Sequence, residues 1–280
     1  MQHLTALGFF ILLSCVWVGC HAAEPAGSTP TSDSITTGNG QVWRLIWADE
    51  FASPGLPSSE KWDYEVGAIR NEERQYYTRA RRQNVQVANG LLIIESRKEA
   101  YQGYQYTSAS LRTKGKASWT YGRIEVRAKV PTGRGLWPAI WLLGVNIDEV
   151  GWPACGEIDI MEHVGFDPHT IHANIHTQAY NHVLRTHKGA SITVPAPSTA
   201  FHLYAIEWFK DRIDFFVDDT KYFSFTNEGT GWEVWPFDKP HYLLINTAIG
   251  GSWGGLHGID DTVFPQLLYI DYVRVYEAVP

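Results

Sequence analysis

Short runs of β-branched and aromatic residues follow one another along this chain, each cut off by Gly, Pro, Asn or Asp. That punctuation is what most constrains the fold. Residues 91–96, 122–130, 171–177, 201–208, 212–217, 222–225, 241–247 and 268–276 all read as strands. Asn89-Gly90 and Asp218-Asp219 read as two-residue hairpin turns. No amphipathic helical pattern longer than about ten residues interrupts them. Strands without helices to cover them must bury their apolar faces against each other, so the expected fold is all-β, a sandwich or jelly roll. A chain of 280 residues, 44% of them hydrophobic, has the length and the core for one such domain.

One apolar run carries acids. Residues 157–162 read Glu-Ile-Asp-Ile-Met-Glu. On a strand Glu157 and Asp159 share a face, while Glu162, at an odd offset, points to the other. One extra residue, a β-bulge around Ile160-Met161, returns Glu162 to the side of the other two. Three carboxylates crowded on one surface raise each other's proton affinity, and a chain that keeps such a row uses it. Two carboxyls about 5–5.5 Å apart are what a retaining glycoside hydrolase requires, one as nucleophile and one as acid/base. Calcium is the competing use of clustered carboxylates, but the Ile and Met between these acids do not suit a calcium loop.

The remaining chemistry narrows around that row. Net charge is −7, which argues against a nucleic-acid partner. Twelve Trp residues exceed what a core needs, and indole stacks on the apolar faces of sugar rings. Trp137 and Trp141, four apart, share a strand face and are candidate sugar platforms. Trp253 sits in a Gly-rich loop, where the glycines are expected to make room for a sugar. His172, Asn174 and His176 alternate onto one face, expected to lie beside the acids with His176 hydrogen-bonded to one of them. His163, His169, His182 and His187 read as solvated or loop residues. Their spacing fits no familiar zinc motif, so no catalytic metal is expected. Cys155 alone falls within the domain, which excludes a disulfide framework; it reads as a small buried thiol.

These segments resemble glycoside hydrolase family 16, and within it the bacterial laminarinase-like endo-β-1,3-glucanases. The resemblance spans residues 42–277. It rests on Trp47-Ala48-Asp49-Glu50-Phe51, on 121–128 (YGRIEVRA), on 135–143 (GLWPAIWLL), on the acid motif between Gly156 and Gly165, on 248–255 (AIGGSWGG), and on 271–276 (DYVRVY). It implies a concanavalin-like β-jelly roll of two curved antiparallel sheets, with a concave substrate cleft. It implies Glu157 as nucleophile, Glu162 as acid/base, and Asp159 between them, tuning Glu157. Asn71 is implied to bind substrate beside Trp137, Trp141, His176 and Trp253; Arg70 stands where many members carry Asn or Gly. No catalytic cofactor is implied. A structural calcium is, held by the carbonyls of Glu50 and Gly90 and by Asp271. The implied substrate is a β-1,3-glucan of the laminarin type, acted on by a monomer. Mixed-linkage β-1,3-1,4-glucan, agarose or carrageenan are the other specificities of such a domain, and glucan binding without catalysis is the reading from a different class.

The N-terminus reads as an export signal. Residues 4–18 are almost wholly apolar, the length of a signal core and short for a membrane span. The expected division is a signal over 1–22, a flexible Ser/Thr/Pro/Gly-rich tether over 23–40, and the catalytic domain over 41–280. Val16-Trp17-Val18-Gly19-Cys20 also resembles a lipobox, so the product is expected to be secreted or periplasmic, or anchored to the outer surface by a lipid on Cys20. No other membrane association is expected.

Overall fold

The computed structural model describes Met1 and residues 33–280. The signal at 1–22 and the start of the tether lie outside the described residues. Strands dominate the rest. In chain order they are β1 (Ser34–Thr36), β2 (Val42–Asp49), β3 (Asp63–Glu65), β4 (Gln75–Tyr77), β5 (Val85–Ala88) and β6 (Leu91–Tyr101). There follow β7 (Tyr104–Ser108), β8 (Ser110–Arg112), β9 (Gly122–Lys129), β10 (Leu136–Gly144), the one-turn helix α1 (Ile147–Val150), β11 (Glu157–Glu162) and β12 (Thr170–His176). The last are β13 (Lys188–Thr193), β14 (His202–Trp208), β15 (Arg212–Val217), β16 (Thr220–Thr226), β17 (His241–Ile249) and β18 (Gln266–Ala278).

They form two sheets. One runs β16-β15-β14-β9-β18-β6-β7-β4, with β2 and β1 added beyond β18 and β5 beside β6. The other runs β13-β12-β11-β10-β17-β8-β3. All pairings are antiparallel except β4 with β7. This is the expected jelly roll. Every run read as a strand lies in one, and both turns form. Asn89 and Gly90 link β5 to β6 at φ 54° and 74°, the left-handed values such a two-residue turn requires, and Asp218 opens the β15–β16 turn at φ 53°.

The core lies between the sheets. Ile124, Val126, Val273 and Val275 from the first sheet meet Ile140, Ile158, Ile160 and Ile245 from the second, all fully buried. Alternation then commits the other face of the second sheet, with its acids and indoles, to an open cleft. In contrast with the expected flexible tether up to residue 40, residues 34–39 are held against the fold. Ser34–Thr36 pair with β2, Trp43 Nε1 donates to Thr37 Oγ1 at 3.2 Å, and Asn39 Nδ2 donates to Glu207 at 3.2 Å. Composition marks this stretch as polar. It does not show that the edge of β2 offers a row of backbone partners that a short Ser-Ile-Thr segment can take.

Candidate active site

The bulge that brings the acids together is present. In the β10–β11 ladder Met161 faces Ile140 and Asp159 faces Trp141, so Ile160 is the extra residue. The β11–β12 ladder shifts at the same place. Ile158, Ile160 and Met161 are all fully buried in the core, two of them consecutive. Glu157, Asp159 and Glu162 are thereby left on the cleft side, opposite His176, Asn174 and His172 of β12. The cleft is open, about 830 Å³, and crosses the strands of the second sheet.

Each acid is held. Trp152 Nε1 donates to Glu157 Oε2 at 2.9 Å. Trp137 Nε1 donates to Glu162 Oε1 at 3.0 Å, and Asn174 Nδ2 donates to Glu162 Oε2 at 2.6 Å. His176 Nε2 stands 3.4 Å from Asp159 and 3.7 Å from Glu157, beside the acids as expected but without the expected hydrogen bond, which leaves Asp159 Oδ2 unpartnered. All three acids are pushed above the ordinary carboxylate range. Burial lifts Glu157 to about 8, with the charge of Asp159 adding to it. Burial, then the charge of Glu162, lifts Asp159 well above the ordinary range, and a hydrogen bond to Glu157 pulls it back. Burial lifts Glu162, opposed by its bonds to Asn174 and Trp137. The row titrates as a set and holds at least one proton near neutral pH.

Two loops build one wall. Arg74 N–H donates to Ile249 O, and Ser252 N–H donates to Asn71 O, both at 2.8 Å, stitching residues 70–74 to 249–253. Asn71 lines the cleft with φ 54°, a conformation Asn tolerates. The glycines around Trp253 do not serve the expected purpose of leaving room for a sugar. A Cβ on Gly254 would stand 2.8 Å from Trp137 Cβ, and one on Gly251 would stand 3.0 Å from Asn71 O. Their missing side chains are used to dock the loop. Docked, it sets Trp253 edge-on to Trp137 at 5.6 Å and to His172 at 4.9 Å, a half-exposed aromatic corner beside Glu162.

Trp141 is placed differently from Trp137. It lines the cleft floor, yet is only 7% exposed and donates to Asn246 Oδ1 at 2.8 Å. The Arg70 guanidinium lies 4.8 Å from its ring centre and is paired with Glu65. The open platforms are therefore Trp137 and Trp253, and Trp141 is packed beneath a cation.

Several residues of the cleft escaped the sequence reading. Trp152, which holds Glu157, lies in an irregular Gly-Trp-Pro segment with no periodicity to aim it. Asn174 was marked only by its place between two histidines. Glu65, Arg112 and Glu73 reach the cleft from three separate segments. His182 and His187 are exposed loop residues, as expected, but they line the cleft, with ring centres 5.2 and 5.8 Å from that of His176. His163, read as a solvated or loop residue, does lie in the loop after β11 but is fully buried, with Nδ1 3.0 Å from Thr170 O. Cys155 is a buried thiol whose pKa burial pushes up to about 12, which leaves it inert.

The segments that carry the residues assigned to calcium are neighbours in the first sheet. Strand β18 pairs with β6 up to Ile270 and with β2 from Val273, so Asp271 lies where it changes partner, in a bulge against β9. Glu50 directly follows β2 and Gly90 directly precedes β6. Arg127 Nη1 donates to Asp271 Oδ2 at 2.5 Å, leaving Oδ1 as the carboxylate oxygen that would share a cation with two carbonyls. An all-oxygen set fits calcium.

A jelly roll whose concave sheet carries a bulged Glu-x-Asp-x-x-Glu strand along an open, indole-lined cleft defines a class of glycoside hydrolases. The chain belongs to glycosyl hydrolases family 16, whose family model matches residues 72–273. It is 49% identical to the β-glucanase of Rhodothermus marinus over 288 aligned positions, covering 100% of this chain and 96% of that protein. The X-ray structure of the laminarinase from Rhodothermus marinus superposes with a TM-score of 0.83 at 54% identity, covering 85% of this chain and 98% of that one. An endo-β-1,3-glucanase from Pyrococcus furiosus superposes with a TM-score of 0.81 at 41% identity, covering 89% and 99%.

The raised Glu157 makes a prediction about stability. A group whose pKa is higher folded than unfolded stabilises the fold fully only below the unfolded value, and that contribution is lost as pH rises through the folded value. Glu157→Gln is neutral at every pH. It should therefore melt with wild type near pH 4 and progressively above it toward pH 8, where the folded pKa lies. The gap should reach several °C, at about 2–4 °C per kcal/mol for a chain of this size. Thermal melts of both proteins from pH 4 to 8.5 test it, and a gap that is constant with pH would show that Glu157 is not held against its charge.

Proposed function

We infer that this protein is a retaining endo-β-1,3-glucanase that cuts internal bonds of laminarin-type glucans. The observation that carries the reading is the pair Glu157 and Glu162 on one strand face, each fixed by an indole N–H, within an open cleft. An open cleft admits the middle of a chain, where a closed pocket would admit only an end. The names borne by the relatives supply the substrate class.

The chemistry follows from the placement. Glu157 attacks the anomeric carbon as Glu162 gives its proton to the departing oxygen, and a glycosyl-enzyme forms. Glu162 then takes a proton from water, which displaces Glu157 and restores the β configuration. Glu162 must begin protonated, and its raised pKa supports that role. Asp159, itself raised by burial and by the charge of Glu162, shares a proton with Glu157, so that Glu157 can meet the sugar as a carboxylate. Trp137 is both a platform for the sugar and a donor to Glu162, linking substrate position to the acid.

Chemical rescue separates the two glutamates. Glu157→Ala and Glu162→Ala should each lose nearly all activity on laminarin. With an activated aryl β-glucan oligosaccharide, azide should rescue the first as an α-glycosyl azide and the second as a β-glycosyl azide, because the attacked faces differ. Exchanged anomers would reverse the roles, and full activity of either variant on laminarin would end the assignment. Lichenan, agarose and carrageenan run beside laminarin distinguish the other specificities.

Calcium is proposed as a structural ion at Glu50, Gly90 and Asp271. The chemistry it supplies is to clamp the ends of β2 and β6 to the bulge in β18, away from the acids. Added calcium should raise the melting temperature of chelator-treated protein, and Asp271→Asn should abolish that rise. An equal rise in the variant would place the ion elsewhere.

Export is proposed from the apolar leader, with the product either free or lipid-anchored through Cys20. A single short acyl chain holds a protein only marginally at a membrane, so anchoring here means several chains on that cysteine. Mass measurement of the mature N-terminus from a Gram-negative host checks this. A start at Ala23 or Glu24 fits free export, an acylated Cys20 fits anchoring, and an intact Met1 would rule out export.

A further inference from the structure

His176 brings an imidazole to the Glu157 end of the acid row. Its Nε2 lies 3.4 Å from Asp159 Oδ2 and 3.7 Å from Glu157 Oε1, and one ligating atom from each of the three residues falls within 4.8 Å of the others. Asp159 Oδ2 and His176 Nδ1 have no hydrogen-bond partner, in residues only 3% and 6% exposed. Trp152 occupies Oε2 of Glu157, so Oε1 is the oxygen turned toward the imidazole. Two further imidazoles, His182 and His187, stand 5.2 and 5.8 Å from His176 by ring centres. Nothing in glycoside hydrolysis calls for three imidazoles in one corner.

The geometry is that of a metal trap. Zinc bonds of about 2.0–2.2 Å give a tetrahedron with edges of roughly 3.3–3.6 Å. The two edges that meet at His176 Nε2 are 3.4 and 3.7 Å, close to that before any side chain moves. The mixed imidazole and carboxylate donors select zinc, copper or nickel over calcium or magnesium, which prefer oxygen alone. We propose that Glu157, Asp159 and His176 bind one divalent transition ion such as Zn²⁺, that His182 or His187 turns in as the fourth ligand, and that the bound ion excludes substrate. Binding follows from the side chains alone. Inhibition rests on the reading of Glu157 as nucleophile, since the ion would occupy the oxygen that attacks the sugar.

Calorimetric titration of Zn²⁺ into the full enzyme in a chelator-free buffer tests binding without reference to activity. One ion per chain is expected, with affinity lowered about tenfold or more by His176→Ala, the size of loss that follows when a metal site loses a supporting group. If that variant does not fold, Glu157→Gln, which keeps the shape and removes a charged ligand, should weaken binding by a similar factor. In steady-state assays Zn²⁺ should compete with laminarin, while Mg²⁺ at the same concentration should not inhibit. Unchanged zinc affinity in the folded variants, or inhibition that laminarin does not relieve, overturns the site. A protein that binds zinc here but leaves laminarin intact would keep the metal site and refute the glucanase reading, so the two failures are distinguishable.

Discussion

A single inserted residue governs this active site. On a regular strand, side chains at an odd separation face opposite ways, and Glu157 and Glu162 are at an odd separation. Ile160, the extra residue, cancels the mismatch by sending two consecutive side chains into the core. The price would be a lost pair of ladder bonds, but the core gains Ile160 and Met161 together, both fully buried. The bulge is therefore secured from the apolar side. Moving Glu162 back to the core face would also bury a carboxylate among isoleucines, which is far more costly than exposing one of them. The same apolar residues that make β11 a strand make its acids converge.

Convergence has a cost that the surroundings only partly offset. Burial raises all three acids, and each added negative charge raises its neighbours further. The donors around them are few and directed: one indole for Glu157, one indole and one amide for Glu162. Among the described residues no ion pair joins an arginine or lysine to the row; Arg70, Arg112 and Lys114, which line the cleft, are engaged by Glu65, Asp63 and Asp148. A full counter-charge would bring the carboxylates back to ordinary values and remove the acid that the leaving group needs. Neutral N–H donors fix the oxygens in place while leaving the proton affinity high. The instability stored in the row is the condition of its chemistry.

The fold was legible from sequence because its signals are local. Each strand carries its own run of β-branched or aromatic residues, and Asn89-Gly90 carries the turn chemistry its φ angles demand. The acid row was legible for the same reason, since parity within one six-residue strand suffices to predict the bulge. What escaped depends on irregular backbone or on distant contacts. Trp152 reaches Glu157 from an irregular segment, and the packing of Gly254 against Trp137 joins residues more than a hundred positions apart. Glycine in a loop has several uses, and sequence alone cannot say whether a missing Cβ makes space for a ligand or for another part of the chain. The short strand β1 was missed because an edge, not its own composition, stabilises it.

The indoles show how little residue type says about role. Trp137 and Trp141 share a strand and a face, as their spacing requires, yet only one is an open platform. The difference lies in β8 and the 65–74 segment, which come up against the far half of the floor. Arg70, tied to Glu65, covers the ring of Trp141, while Asn246 takes its N–H. Among the described residues no cation lies over Trp137, whose N–H is turned instead to Glu162 and which meets Trp253 edge to face. A cation over an indole face competes with any sugar for that face. Arg70 thus converts a second aromatic platform into a polar one, a planar guanidinium with donors suited to hydroxyls. The cleft is left with an apolar corner beside Glu162 and a charged floor further along, so a sugar chain laid along it would meet stacking surface at one end and hydrogen-bonding groups at the other.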